Sequence, residues 1–212
     1  KGWVHAEYSL LPGSTDSRFR RERRGAKGRT QEIERLVARS LRAAVDLEEL
    51  GPIALNVDCD ILNADGGTRC ASITAANLAL RLGVRRLIAA GVCLPKNMRP
   101  TEEQRRSGWS PPVLSGEEQM AHEMRVMEHD VAAISVGLID GKSYLDLDYN
   151  LDSNADVDMN VVKVSNGAFV EVQGTGEEST YQREELDALL DMADIGFEAL
   201  FEMQKTILHG QQ

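Results

Sequence analysis

The sequence predicts an α+β (mixed α/β) fold, and three observations carry that prediction. Apolar residues recur with a helical period over 30–50, 68–90 and 183–208. They alternate with polar residues over 1–10 and 53–61, and turn signals divide 131–173 into four short strand-like runs. With 212 residues and 42% hydrophobic content, the chain has enough apolar material for one sizeable core.

The elements follow in order. Residues 1–10 set Trp3, His5 and Glu7 against Val4, Ala6 and Tyr8, a strand that Pro12-Gly13 ends. A basic loop follows, then one amphipathic helix over 30–50, stopped by Gly51-Pro52. Ile53, Leu55, Val57, Cys59 and Ile61 mark a second strand, and 68–90 a second helix ending at Gly91. Residues 92–129 read as an inserted surface excursion within a single domain spanning 1–212, because Arg99-Pro100 and Ser110-Pro111-Pro112 oppose regular structure. Inside it, 115–128 predicts a helix with Ser115 and Glu118 as a capping box. His122 and His129, seven apart, would share a face of that helix, where solvated histidines are expected ahead of a metal site. Strands are predicted at 131–139, 144–149, 159–164 and 168–173, with turns at Asp140-Gly141-Lys142 and Ser165-Asn166-Gly167. A last helix covers 183–208.

Charge narrows the partners. The net charge is −10, which argues against a surface that binds nucleic acid everywhere. From Arg18 to Arg42, however, ten Lys/Arg face three acids, a local +7 against −17 for the rest. A solvated charged face is the plain alternative, but Arg18, Arg20, Arg21, Arg23 and Arg24 fall in a predicted loop and not on a helix with compensating acids, which favours a steering patch for a polyanion. No apolar run of about 18 residues and no signal peptide is present, so no membrane association is expected. Cys59, Cys70 and Cys93 lack metal-ligand spacing and read as reduced core thiols of a cytoplasmic protein. No Met precedes Lys1, so the chain reads as a fragment.

Two signals carry chemistry: Gly28-Arg29-Thr30 and Asp65-Gly66-Gly67-Thr68-Arg69, each where a loop enters a helix. A helix start presents unpaired N–H groups and the positive end of the macrodipole. Glycine permits close approach, threonine adds a donor, and arginine adds a planar fork suited to phosphate. Further on, Asp146, Asp148, Asp152, Asp156 and Asp158 crowd one strand–connection–strand segment. Asp146 and Asp148 would share a strand face, while Asp152 and Asp158 would converge from opposite ends of the connection. Carboxylates so placed suit Mg²⁺ completed by water and phosphate, though a polar hairpin with Asx turns explains Asn150 to Asp156 equally well. There is no G-x-S-x-G, H-E-x-x-H, Walker A lysine or G-x-G-x-x-G, and Asp60 reads as a polar strand end. Electrostatic catalysis at a phosphorus centre remains.

Gly2-Trp3-Val4-His5-Ala6-Glu7-Tyr8-Ser9 and Gly28-Arg29-Thr30-Gln31-Glu32-Ile33 resemble stretches of the ribonuclease PH family. So do Asp58-Cys59-Asp60-Ile61-Leu62-Asn63-Ala64-Asp65-Gly66-Gly67-Thr68-Arg69, Asp158-Met159-Asn160-Val161-Val162 and Glu171-Val172-Gln173-Gly174-Thr175, in the same order along nearly the whole chain. The resemblance implies a ribosomal-protein-S5-domain-2-like fold and a ring, usually a hexamer built as a trimer of dimers. It implies phosphate-dependent 3′ trimming of RNA, notably tRNA precursors, with release of nucleoside diphosphates. Carried over by motif, Arg29, Gly67, Thr68 and Arg69 bind inorganic phosphate, and Asp152 and Asp158 are the catalytic and Mg²⁺-holding pair. Arg18 and Arg21 guide the RNA. A non-catalytic RNA-binding subunit of an exosome-like ring is the main rival, opposed by the retention of Arg29, Arg69, Asp152 and Asp158. Family members usually carry about 55–60 residues before this Trp-Val motif, so an N-terminally truncated core with unpaired sheet edges is expected.

Overall fold

In the computed structural model, which describes residues 1–22, 25–176 and 179–210, β1 (Trp3–Leu10) keeps the predicted alternation. Val4, Ala6 and Tyr8 are buried; Trp3, His5, Glu7 and Ser9 are exposed. The chain leaves through the basic loop and enters α1 (Gly28–Ala43), whose Ile33, Leu36, Val37 and Leu41 cover the buried face of β1. Arg23 and Arg24 lie outside the described residues.

The single helix expected over 30–50 is two helices. The first stops at Ala43, and α2 (Leu47–Leu50) starts afresh at Asp46, whose carboxylate accepts from the N–H groups of Glu48 and Glu49. Aspartate competes with the helical backbone in this way and begins a new helix where it does so. The apolar periodicity runs through the break because Val45 and Leu50 are buried in the same core. Strand β2 (Ala54–Ile61) then pairs in parallel with β1, Tyr8 opposite Cys59. Parallel neighbours need a crossover, and α1 with α2 supplies it.

Helix α3 (Thr68–Ala89) follows, with Ile73, Leu80, Val84 and Ile88 buried. Residues 92–129 hold a 3₁₀ turn (Lys96–Met98), α4 (Glu102–Arg106) and α5 (Gly116–Val126). The Ser115–Glu118 capping box forms at α5. Helix α5 docks on α3 through charges: Glu123 accepts from Arg81 at 3.1 Å and Arg85 at 2.8 Å, and Arg81 also binds Asp130. His122 corrects the expectation of a solvated histidine. It is fully buried, with Nε2 3.7 Å from the Cys93 sulfur, because α5 turns that face into the core. His129 lies past the end of α5 and bonds Asn166, so the two histidines do not form one face.

The remaining strands form a four-stranded antiparallel sheet. β3 (Val131–Ile139) and β4 (Lys142–Leu145) make a hairpin through Asp140-Gly141, both at positive φ. A strand was expected to run to Tyr149, but β4 ends at Leu145. Asp146 adopts φ 54°, and Asp148 caps a short helix, α6 (Tyr149–Asp152). Leu147 is buried as a strand residue would be, yet the backbone turns around it, so Asp146 and Asp148 share no strand face. β5 (Val157–Val164) and β6 (Phe169–Gly176) complete the order β4-β3-β5-β6, and α7 (Arg183–His209) covers one face.

Parity decides what each face does. Val157, Met159 and Val161 of β5 pack with Leu189, Ala193 and Phe197 of α7. The alternate residues Val162 and Val164 join the core beneath α1 and α3, which leaves Asn160 and Asp158 on that side, further along the strand. Among the described residues, no helix is long and apolar enough to cross a membrane. The three thiols are free.

Candidate active site

The two glycine-basic signals do begin helices. Of the seven helices formed by the described residues, only α1 and α3 have no acid in the first turn, and neither has a side-chain cap. The other five place Asp or Glu there. Acids at a helix start satisfy the dipole from within. Leaving them out keeps the first N–H groups for a ligand. Gly67 takes φ 69° at the start of α3, a conformation that costs other residues energy.

Two short connections hold the start of α3, one to β1 and one to α1. Thr68 Oγ1 lies 2.9 Å from the Tyr8 hydroxyl, tying α3 to β1. Arg69 reaches α1 and donates from Nη2 to Glu32 Oε2 at 3.0 Å. Glu32 is one turn beyond Arg29, a spacing that puts Cβ atoms about 5–6 Å apart on a shared face. Tyr8, Arg21, Arg29 and Thr30 line a pocket of about 500 Å³ together with Glu7 and Glu34. Arg18 is exposed on the same loop, outside that lining. The loop itself is held to the glycine turn, since Ala64 N–H donates to the Ser14 carbonyl at 2.6 Å.

The acidic segment closes over α3 from the other side. The Asp65 carboxylate accepts from Gly66 N–H at 2.9 Å and Tyr149 N–H at 2.6 Å, so one side chain fixes both the glycine turn and the start of α6. Ser135 holds the next stretch: its carbonyl accepts from Asp146 N–H and its hydroxyl from Leu147 N–H. Cys70, in the first turn of α3, donates to Asn160 Oδ1 at 3.0 Å. Burial pushes the Cys70 thiol pKa up, and the charges of Asp158, Asp146 and Asp152 push it the same way, while Arg69 opposes them. Those four charged groups therefore all act electrostatically on one thiol at the start of α3.

Tyr8, Glu32, Asp65, Ser135 and Gln173 have no site role assigned from the sequence, although all but Ser135 stand in the motifs quoted above. Two had a visible signal: Tyr8 is the one hydroxyl on the buried face of β1, and Asp65 precedes two glycines as an Asx-turn residue does. Glu32 and Gln173 had none, because their role depends on α1 meeting α3 and β6.

Among the described residues no group of three or more His, Cys, Asp or Glu forms a cage for a metal. Mg²⁺ does not need one. It binds through one or two carboxylates and keeps waters or phosphate oxygens, so the donor set of Asp152 and Asp158 fits it.

Comparison with known proteins adds the lineage. Residues 1–83 match the model of the 3′ exoribonuclease family, domain 1, and residues 129–196 that of domain 2. Ribonuclease PH of Rhodopirellula baltica is 49% identical over 209 residues, covering 98% of this chain and 75% of the relative. Ribonuclease PH of Syntrophomonas wolfei is 46% identical, with 98% and 75% covered. Rice Rrp46 superposes with a TM-score of 0.64 at 12% identity, over 97% of this chain and 73% of that one. The Archaeoglobus fulgidus exosome with RNA bound to the active site gives 0.60 at 19% identity, over 90% and 66%. At those identities the two structures speak for the fold alone.

Proposed function

The chain belongs to the ribonuclease PH family of 3′ exoribonucleases, and from that premise we propose that it trims RNA 3′ ends by phosphorolysis. Inorganic phosphate attacks the terminal phosphodiester and releases a nucleoside diphosphate, so the protein is a nucleotidyltransferase. The observation that carries this reading is the pair of uncapped, acid-free helix starts at α1 and α3, linked to each other through Glu32–Arg69, with α3 also tied to β1 through Tyr8–Thr68.

In this reading Arg29, Gly67, Thr68 and Arg69 hold the attacking phosphate. The arginines supply charge, and the helix starts supply N–H donors aimed before the reaction begins. Arg18 and Arg21 engage the RNA backbone. Asp152 and Asp158 hold Mg²⁺, which when bound offsets charge on the transferring phosphoryl group. One of these carboxylates also assists proton transfer to the leaving 3′ oxygen. The preferred RNA is a tRNA precursor, the working form a homo-oligomeric ring of six, and the compartment the cytoplasm, which three free thiols support. Residues 1–212 act as one catalytic domain, with 92–129 as its inserted excursion.

The test is to incubate the protein with a tRNA bearing extra 3′ nucleotides, with and without phosphate, and to identify the products. Nucleoside 5′-diphosphates formed only with phosphate are expected. Monophosphates accumulating in phosphate-free buffer would show a hydrolase.

A further inference from the structure

We infer that Glu32 is a positioning residue for Arg69, fixing its guanidinium plane for phosphate, an inference that rests on the reading of Arg69 as a phosphate ligand. An acid beside such an arginine is at first sight a handicap. It cancels charge and offers the guanidinium a rival partner. The geometry gives it another role.

Arg69 is the second residue of α3, and its side chain crosses to α1, where Glu32 Oε2 takes Nη2 at 3.0 Å. The other oxygen, Oε1, accepts from Gln173 Nε2 of β6 at 3.4 Å, a long bond that still tethers the carboxylate from a third element. The side chains of Arg69 and Glu32 are 26% and 33% exposed. A pair this open to water contributes little to stability, so stability does not account for it. What the pair does settle is orientation. An arginine alone samples many rotamers, whereas one held at Nη2 presents its remaining donors in a fixed direction. Among those donors, Arg69 Nε is buried and has no hydrogen-bond partner among the described residues. A desolvated donor left unpaired is costly, and an anion oxygen would relieve that cost. Glu32 thus occupies Nη2 and leaves Nε, on the same side of the guanidinium, for a ligand oxygen.

Direct titration with inorganic phosphate tests this, beside steady-state kinetics on the same proteins. Glu32→Ala should weaken phosphate binding and raise the phosphate KM by about tenfold, as expected when a hydrogen bond to a charged group is removed. The RNA KM and the melting temperature should stay near wild type. Glu32→Gln should recover phosphate affinity to within about threefold, because its amide oxygen still accepts from Nη2. Unchanged or tighter phosphate binding in Glu32→Ala would overturn the inference, since Glu32 would then only dilute the local charge. A Glu32→Gln protein as weak as Glu32→Ala would overturn it too, by showing that charge and not position matters. Should Glu32→Ala fail to fold, Glu32→Asp, one methylene short of Nη2, decides in the same way: weaker phosphate binding supports the inference and unchanged binding ends it. Phosphate-independent turnover by the wild type would count against the proposed reaction, a result read from products and separate from phosphate affinity.

Discussion

Gly66 presses against Leu147: a Cβ added to Gly66 would lie 2.0 Å from the Leu147 carbonyl oxygen and 2.8 Å from the carbonyl carbon of Asp148. This is backbone against backbone, so no side chain can swing aside. The contact joins the turn that opens α3 to the segment that carries the acidic residues, and Asp65 bonds across the same junction to Tyr149 N–H. The two halves of the proposed site are therefore held in a single register.

Gly66→Ala should push those halves apart. A destabilisation of about 1–3 kcal/mol is expected from the overpacking. Turnover per folded molecule should fall by about a hundredfold, the scale on which a misplacement of about 1 Å costs catalysis. Gly83→Ala is the control. It lies within α3 with nothing within 4 Å of its new Cβ, and it should stabilise by about 0.5–1 kcal/mol with activity kept. Thermal melts and phosphorolysis on one preparation of each variant give the answer.

Most of the framework was legible in the residues. The alternation of Val4, Ala6 and Tyr8, the capping box at Ser115 and the Asp140-Gly141 turn are local signals, and the structure keeps each of them. Two of the failures share one physical form, and His122 has the opposite one, since its helix was legible and its burial was not. Helix periodicity continued past Ala43 because Val45 and Leu50 remain in the core, although Asp46 restarts the backbone. Leu145 and Leu147 alternated like a strand, although Asp146 turns the chain between them. In both places burial was predicted well and backbone path was not. The site followed the same division. The helix starts announced their chemistry locally, while Glu32, Gln173 and Ser135 gain theirs from partners at least 11 positions away.

On the proposed reading the basic residues divide into two kinds, and kinetics separates them. Arg69→Ala or Arg29→Ala should abolish turnover by removing phosphate, with RNA affinity largely kept. Replacing Arg18 and Arg21 together should weaken RNA binding and flatten its dependence on salt. The log–log slope should fall by about 0.7 for each phosphate of a single strand that is no longer neutralised. An Arg69 variant that failed to bind RNA while keeping phosphate affinity would reverse the assignment.

On the proposed reading, Tyr8 acts on phosphate through Thr68, whose Oγ1 lies 2.9 Å from its hydroxyl. If the phenol donates to Thr68 Oγ1, the threonine hydrogen is released toward the anion. Tyr8→Phe keeps the buried ring of β1 and removes that donor. The phosphate KM should rise by about three- to tenfold, with kcat and melting temperature close to wild type. An unchanged phosphate KM would leave Tyr8 a packing residue.

His122 makes stability depend on pH. Burial lowers its pKa below the ordinary 6.5; Arg125 and Arg99 lower it further, and Glu49 opposes them. Its neutral contacts are Cys93 and the α5 core. Below pH 6.5 the unfolded chain binds a proton that the folded chain refuses, so this contribution is present above 6.5 and is lost as pH falls. Urea midpoints at about pH 7 and pH 5 should therefore differ less in His122→Gln than in the wild type. Equal pH dependence in the two proteins would clear His122 of the effect.

The acidic pair separates a catalytic centre from a polar connection. Asp158→Asn is nearly isosteric and keeps the strand pairing of β5 with Gly137 and Thr175, so the fold should survive. If Asp158 holds Mg²⁺ at the reacting phosphate, turnover should fall by about a hundredfold or more and its metal dependence should shift. The sequence offers Asp148 and Asp156 as substitutes for Asp152, which would soften Asp152→Asn. The structure limits that relief, because each of the two carboxylates has one oxygen already engaged in holding backbone. Asp148 already accepts from Leu151 N–H as the cap of α6, and Asp156 Oδ2 from Asp140 N–H. Asp152→Asn should therefore cost nearly as much as Asp158→Asn. A merely structural role predicts a lower melting temperature with normal activity per folded molecule. The decisive measurement is phosphorolysis across a Mg²⁺ titration beside a thermal melt. Wild-type turnover at saturating Mg²⁺ in a folded Asp158→Asn protein would remove the carboxylate from the mechanism and leave the arginines and the two helix starts to explain the reaction alone.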